Sequence, residues 1–282
     1  MNDRECIEFL QLALPKMEMR WVGFRKVRKQ VCKRINRRIN ELTLSNSSAY
    51  MRYLDACPEE WAQLDQMCRI TISRFYRDRG LFGHLENDEL PEIARKAIGR
   101  GEKELSCWSI GCASGEEAYT VLLIWEKRLK PRFPNLEIKV IASDSDPNMI
   151  RRGEAGCYGP GSMKDLPEEL MEAGFDRSGE QLCIKDRFKN KIKFLNQDIR
   201  EAMPDGPFHL ILCRNLVFTY FNERLQQRIL KGIRERLTPG GILVTGIHET
   251  LPAGSNDLFL SEAPHIGIYR SYLRPWVNDD AH

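Results

Sequence analysis

The chain has 282 residues, of which 42% are hydrophobic and 29% charged, with 14 prolines, a balance that excludes disordered, collagen-like and coiled-coil chains. Its longest uncharged stretch, Leu237–His248, has 12 residues, against the roughly 20 that a membrane span needs. A net charge of +3 is too small to argue for nucleic acid.

The opening MNDRECIEFL lacks a signal-peptide pattern, so a cytoplasmic protein is expected, with no membrane insertion. Neither CxxC nor HExxH occurs and the histidines stand apart, so no metal is expected. The nine cysteines, several inside apolar runs such as LILC, read as reduced structural residues.

Along the chain, Phe24, Val27, Val31, Ile35, Ile39 and Leu42 recur at spacings of three and four, which is one stripe of an α-helix. Arg20–Asn40 carries nine Lys/Arg and no acid, so the other faces of that helix are basic. The SNSS cluster at 45–48 offers Ser47 or Ser48 as cap of a helix over AYMRYLDAC, and PEEW, from Pro58, opens another with Trp61, Leu64 and Met67/Cys68 on one face. Residues 1–80 are expected to form a helical domain, with a linking helix over 81–100.

From Leu105 short apolar runs alternate with helical segments: LSCWSIG, EEAYTVLLIWEKRL, IKVIASD, PNMIRRGEAG, KIKFLNQD, FHLILCRN, ERLQQRILKGIRERL and ILVTGIHE. This alternation predicts a parallel sheet in an α/β domain over 101–282. Continuous runs such as LILC predict strands buried on both faces. TPGG at 238–241 reads as a turn before the last of them. Between about 157 and 197 the rhythm breaks, and QLCIKDRF and KNKIKFLN are close enough to pair as a hairpin of an inserted β-subdomain. Lys185, Arg187, Lys189, Lys191 and Lys193 stand there against one acid, Asp186.

Four motifs carry chemistry. In WSIGCASGEEAY a strand ends at Gly111 and a glycine loop passes into a helix opened by Glu116 and Glu117, so backbone can approach a ligand at the carboxyl end of the sheet. There is no G-x-G-x-x-G, and two acids would repel a pyrophosphate. An amino group or a sulfonium suits them better, although a plain strand-to-helix turn fits the same residues. In IASDSDPNMI, Asp144 ends a strand and can accept both hydroxyls of a ribose, while Asp146-Pro147 reads as a helix cap. In FHLILCRNLVFTYF, Arg214, Asn215 and Leu216 end a buried strand with Tyr220 beyond, and polar groups at that end face the cleft; Asn215 suits a turn as well as a ligand. ITISRFYRD holds Arg77, which alone would pass for a surface arginine.

Together TISRFYRD, WSIGCASGEEAYT, ASDSDPNMIRRGEAGCYG, PFHLILCRNLVFTYFNERLQQRIL and LTPGGILVTGIHETL resemble the CheR family of chemotaxis receptor methyltransferases, in matching order from about residue 20 to about 273. The resemblance implies a class I methyltransferase (Rossmann-like) domain with a small inserted β-subdomain, preceded by an all-helical domain. It implies S-adenosylmethionine as cofactor and S-adenosylhomocysteine as product. Cofactor contacts are carried onto Thr71, Ser73, Arg77, Gly111, Glu117, Asp144, Asp198, Ile199, Asn215 and Leu216. Arg77 and Tyr220 become the residues that orient the substrate.

The activity it implies is transfer of methyl groups to glutamate carboxylates of a chemoreceptor or receptor-like signalling protein. An acidic helical region of that protein would meet the basic residues 20–40 and also 185–193. The loop at 176–181, DRSGEQ, is short for a subdomain that grips a receptor tail peptide. A same-fold enzyme for another substrate and a silent cofactor-binding module are the competing readings.

Overall fold

The computed structural model describes residues 2–272, which form two compact units. The smaller unit takes the chain up to Thr71 and then Leu216–Gln226; the larger takes Ile72–Asn215 and the chain from Gln227.

The smaller unit contains α1 (Asp3–Lys16), α2 (Trp21–Phe24), α3 (Arg28–Glu41), α4 (Ser47–Ala56) and α5 (Glu60–Cys68). Phe9, Leu10, Ala13 and Leu14 of α1, Val31, Ile35 and Ile39 of α3, Tyr50 and Leu54 of α4 and Leu64 of α5 are all buried. Each set repeats at three or four residues, so one stripe per helix makes the core. The single basic helix expected over 20–40 is two: α2 ends at Phe24, a turn follows, and Val27, half exposed, lies between. Asn46, one residue before the serines expected to cap α4, accepts from the Ala49 amide at 2.9 Å.

The arginines of α3 are unequal. Arg38 makes paired bonds to the buried Glu60 at 2.9 and 2.8 Å, and the Tyr50 hydroxyl donates to the same carboxylate at 2.8 Å. Arg34 donates to the carbonyls of Met67 and Arg69 at 3.0 and 2.6 Å. Both are therefore tied into the helical unit, contrary to the reading that puts the Lys and Arg residues on outward faces. Arg25, Lys26, Lys29, Lys33 and Arg37 are exposed.

The Arg38 bonds hold the Glu60 carboxyl below its ordinary value of 4.5. A depressed acid stabilises the fold above its unfolded value, and that stability is lost as pH falls through the folded one. Glu60→Gln is expected to cost about 1.5–3 kcal/mol near neutral pH and to flatten the stability loss on acidification below about pH 5. Urea titrations across that range check both; a variant as stable as the parent at neutral pH contradicts the assignment.

The larger unit is built on a seven-stranded sheet. In chain order its strands are β1 (Glu104–Ile110), β2 (Glu137–Asp144), β6 (Ile192–Asn196), β7 (Phe208–Cys213), β8 (Leu237–Thr245), β9 (Phe259–Ala263) and β10 (Ile268–Ser271), in spatial order β6-β2-β1-β7-β8-β10-β9. β6, β2, β1, β7 and β8 are parallel, and β10 runs antiparallel to both its neighbours. Every residue of β7 is buried, as a strand covered on both faces requires. Trp108 and Trp125 are fully buried in this unit. α6 (Arg79–His84) and α7 (Leu90–Gly99) precede the sheet, and α8 (Glu116–Ile124) and α9 (Pro147–Ala155) follow β1 and β2. No helix among the described residues is long and apolar enough to cross a membrane.

A second sheet has the order β3-β5-β4, from β3 (Cys157–Tyr158), β4 (Phe175–Ser178) and β5 (Gln181–Ile184), with α10 (Glu168–Gly174) before β4. The expected hairpin of QLCIKDRF with KNKIKFLN does not form. β5 pairs back onto β4 and β3, α11 (Asp186–Lys189) intervenes, and β6 joins the large sheet beside β2. TPGG is likewise no preceding turn: it lies inside β8 at a register shift, with Gly240 at φ +74°. A Cβ on Gly241 would stand 2.8 Å from Thr238 Oγ1, so a glycine is needed there for packing.

The reading of all nine cysteines as reduced is also corrected. Cys6 pairs with Cys32 between α1 and α3, and Cys157 with Cys183 at opposed positions of β3 and β5. Cys57, Cys68, Cys107, Cys112 and Cys213 lie outside these two disulfides.

Candidate active site

The chain runs from β1 out through β2 to β6, then returns to the other side of β1 with β7 and β8. Strand order reverses between β1 and β7, and such a switch point opens a crevice at the carboxyl ends of the strands. Gly111 follows β1, Asp144 ends β2, and Arg214 and Asn215 follow β7.

The glycine loop is shaped by positive φ at Gly111 (+65°), Ala113 (+48°) and Gly115 (+86°). A Cβ at Gly115 would come within 2.8 Å of the Phe194 ring, so both backbone and space require glycine. The Ala113 amide donates to Asp144 Oδ2 at 2.9 Å, and the Asp146 amide to Oδ1 at 2.8 Å. The acid at the end of β2 is thus locked to the loop after β1. Asp146 caps α9 through the Asn148 amide at 2.8 Å, in the structural role expected of it.

The two glutamates that open α8 do different things. Glu116 is 2% exposed; it accepts from Ser114 Oγ at 3.0 Å, and burial raises its carboxyl above the usual range. Glu117 accepts from Ser109 Oγ at 2.8 Å and from Arg214 Nη1 at 2.9 Å. Arg214 in turn pairs with Asp78 and donates to the Arg77 carbonyl at 3.2 Å. Arg214 thus joins the Arg77 segment to Glu117, and Ala113 joins Asp144 to the glycine loop. The Arg77 guanidinium donates to the Ile72 carbonyl at 3.0 Å.

Asn215 has φ +55°, and its amide shares Glu249 Oε2 with the Gly246 amide, at 2.8 and 2.7 Å. A Cβ on Gly246 would stand 2.1 Å from Asn215 Nδ2. Asp198 is bonded by Arg200 through its amide, Nε and Nη2 at 2.9, 3.0 and 2.7 Å, and Ile199 beside it is buried. Thr71, Leu216 and Tyr220 belong to the helical unit. There α12 (Val217–Tyr220) is held by Arg20, which bonds the carbonyls of Phe218 and Thr219. The Tyr220 ring lies 5.0 Å from that of Phe24, and a Cβ on Gly23 would meet the Thr219 carbonyl at 2.2 Å.

Arg214, Glu249 and Arg20 escape a reading by motif. A buried arginine at a strand end gives no role apart from its neighbour Asn215, and Glu249 serves the Asn215 amide 34 residues away. The basic run at 185–193 is largely engaged by its own surroundings. Lys185 donates to the Glu172 carbonyl at 2.9 Å, Lys189 pairs with Asp186 at 3.2 Å, and Lys191 pairs with Glu126 at 2.7 Å.

A mostly parallel seven-stranded sheet with one reversed strand next to its edge, a glycine loop after β1 and an acid at the end of β2 define a class I S-adenosylmethionine-dependent methyltransferase fold. The family model described as CheR methyltransferase, SAM binding domain matches residues 71–266, and the chain belongs to that family. It is similar to a chemotaxis protein methyltransferase of Listeria monocytogenes, 29% identical over 182 residues, covering 64% of this chain and 66% of the relative. It is also similar to chemotaxis protein methyltransferase 2 of Vibrio cholerae, 26% identical over 227 residues, covering 78% and 77%. An uncharacterized 104.1 kDa protein of Rhodobacter capsulatus is 29% identical over 238 residues, and this chain, matched over 83% of its length, spans only 24% of that relative.

Proposed function

We propose that the protein transfers the methyl group of S-adenosylmethionine to glutamate side-chain carboxylates of a chemoreceptor or receptor-like signalling protein, giving methyl esters. The observation that carries this reading is Asp144, locked by the Ala113 and Asp146 amides at the switch point beside the Glu117–Arg214 pair. The relatives named chemotaxis protein methyltransferase support the same class of acceptor.

The donor set fits the cofactor. Asp144 would take the ribose hydroxyls and Glu117 the amino group, with Asp198 and Ile199 toward the adenine. Thr71, Ser73, Arg77, Asn215 and Leu216 would complete the contacts, with the glycine loop from Gly111 beside them. When bound, S-adenosylmethionine supplies an electrophilic methyl group on a sulfonium.

A glutamate side chain has a pKa of about 4.3, so it arrives ionised and needs no general base. The protein's task is to align a carboxylate oxygen about 3–3.5 Å from the methyl carbon and to strip part of its water. Arg77 can hold it through paired hydrogen bonds without sharing a proton. Tyr220 keeps the orienting role that its sequence position assigns.

Incubation with labelled S-adenosylmethionine and a lysate of the source organism tests the proposal. Base-labile label in a protein, released as methanol, is expected. Base-stable label, or label confined to small molecules, moves the reading to another substrate, and no transfer at all moves it to a silent module.

The exposed Arg25, Lys26, Lys29 and Lys33 are the proposed docking cations for an acidic helical region. Reversing all four to glutamate is expected to raise the apparent KM for the protein acceptor about tenfold or more at low salt while leaving cofactor affinity unchanged. Steady-state kinetics across ionic strength check this. Unaltered KM would place docking elsewhere.

A further inference from the structure

We propose that Arg214 is a positioning residue, which fastens the Tyr76–Asp78 segment to the end of β7 and the first turn of α8 and so sets where the Arg77 side chain stands. The proposal rests on the cofactor reading above only for the consequence at Arg77.

The segment cannot hold its shape alone. Tyr76 and Asp78 both take left-handed backbone, at φ +54° and +67°, and a residue with a side chain resists that conformation. Two ties oppose the resistance. The Tyr76 amide donates to Thr120 Oγ1 at 3.1 Å, on α8. Arg214 supplies the other: one nitrogen, Nη2, serves both the Arg77 carbonyl at 3.2 Å and the Asp78 carboxylate.

Its second nitrogen, Nη1, reaches Glu117 Oε2 at 2.9 Å, so one planar fork joins the end of β7, the Arg77 segment and the first turn of α8. The guanidinium centre lies 5.3 Å from the Phe82 ring centroid, and the Arg214 side chain is 4% exposed. Both terminal nitrogens are turned to protein acceptors, and through them Arg214 acts on the Arg77 segment. A lysine cannot replace it, because a single ammonium on a flexible stem does not meet three acceptors in fixed directions.

Arg214→Lys keeps the charge and removes the fork. Amide hydrogen exchange on the intact chain is expected to quicken about tenfold or more over residues 74–80, with β1, β7 and the helix Glu223–Glu235 unchanged. Exchange that stays the same, or rises equally everywhere, would overturn the proposal. Calorimetry with S-adenosylhomocysteine gives the second readout. The Lys variant is expected to bind about tenfold more weakly than the parent, yet less than about twofold more weakly when compared within an Arg77→Ala background. Equal losses in both backgrounds would mean that Arg214 does not act through Arg77. Should Arg214→Lys not fold, Asp78→Asn turns the charged partner of Nη2 into a neutral acceptor and is expected to loosen the same 74–80 segment. If the parent itself fails to bind S-adenosylhomocysteine, the cofactor reading falls, while the exchange pattern still decides whether Arg214 fastens the segment.

Discussion

Replacing Arg77 with alanine is expected to cut methyl transfer about 100-fold or more, a loss of about 2.7 kcal/mol of transition-state stabilisation, and to shift the melting temperature little. The asymmetry follows from its surroundings. The guanidinium is half-buried and bonds one carbonyl, that of Ile72, so its removal costs the fold one partly exposed hydrogen bond, worth about 1 kcal/mol. Its backbone carbonyl, by contrast, is what Arg214 holds, and this contact survives truncation to alanine. Arg77→Lys is expected to recover only part of the rate, since a lysine restores charge without the paired donors that fit a carboxylate. Turnover of the alanine variant within about threefold of the parent, a difference of about 0.7 kcal/mol, would make Arg77 an ordinary surface residue.

Asp144→Ala is expected to weaken S-adenosylhomocysteine binding by about 1.5–3 kcal/mol, the range for a lost hydrogen bond to a charged group. The effect has two sources. One is the direct loss of an acceptor for ribose hydroxyls; the other is release of the Ala113 amide, which Asp144 holds at 2.9 Å. Asp144→Asn separates them. An asparagine oxygen can still accept from Ala113, but its amide nitrogen would face the Asp146 amide, where donor meets donor. It is therefore expected to retain the loop and lose part of the affinity. Isothermal calorimetry on both variants measures this, and unchanged affinity in the alanine variant would remove Asp144 from the site.

The α/β rhythm was legible because parallel strands buried on both faces leave continuous apolar runs, and β7 is the clearest case. β6 was misassigned for a related reason. As an edge strand it pairs on one side only, with β2, so KIKFLN alternates like a hairpin arm and its periodicity does not say which sheet it joins. In α3 the stripe Val31–Ile35–Ile39 was plain, yet Arg34 and Arg38, which flank it, read as solvated while serving Met67, Arg69 and Glu60. Spacing tells which face of a helix a residue occupies, but not whether a neighbouring element covers its edge.

In the candidate site, the place of Asp144 at the end of β2 could be read because an apolar run gives way there to a helix cap. Glu117 could be read by the same logic from the helix start. Their separation from Glu116, one residue away and 2% exposed, could not, since adjacent helical positions point about 100° apart and burial depends on what packs there. Glu249 was invisible too. The two amides it accepts, those of Asn215 and Gly246, belong to the backbone, which no residue type marks.

Leu216–Gln226, threaded between β7 and the rest of its following helix, belongs to the helical unit. Arg20 spends its side chain on the carbonyls of Phe218 and Thr219, the Arg20 amide meets the Tyr220 carbonyl at 2.8 Å, and Gly23 is a glycine because Thr219 is there. The N-terminal helices are therefore not a detachable cassette. A fragment ending at residue 71 would lack the acceptors that Arg20 and its amide use. A chimera exchanging this unit between relatives needs a junction near 71 and a matched insert at 216–226, so the two stretches must be inherited or engineered as a pair.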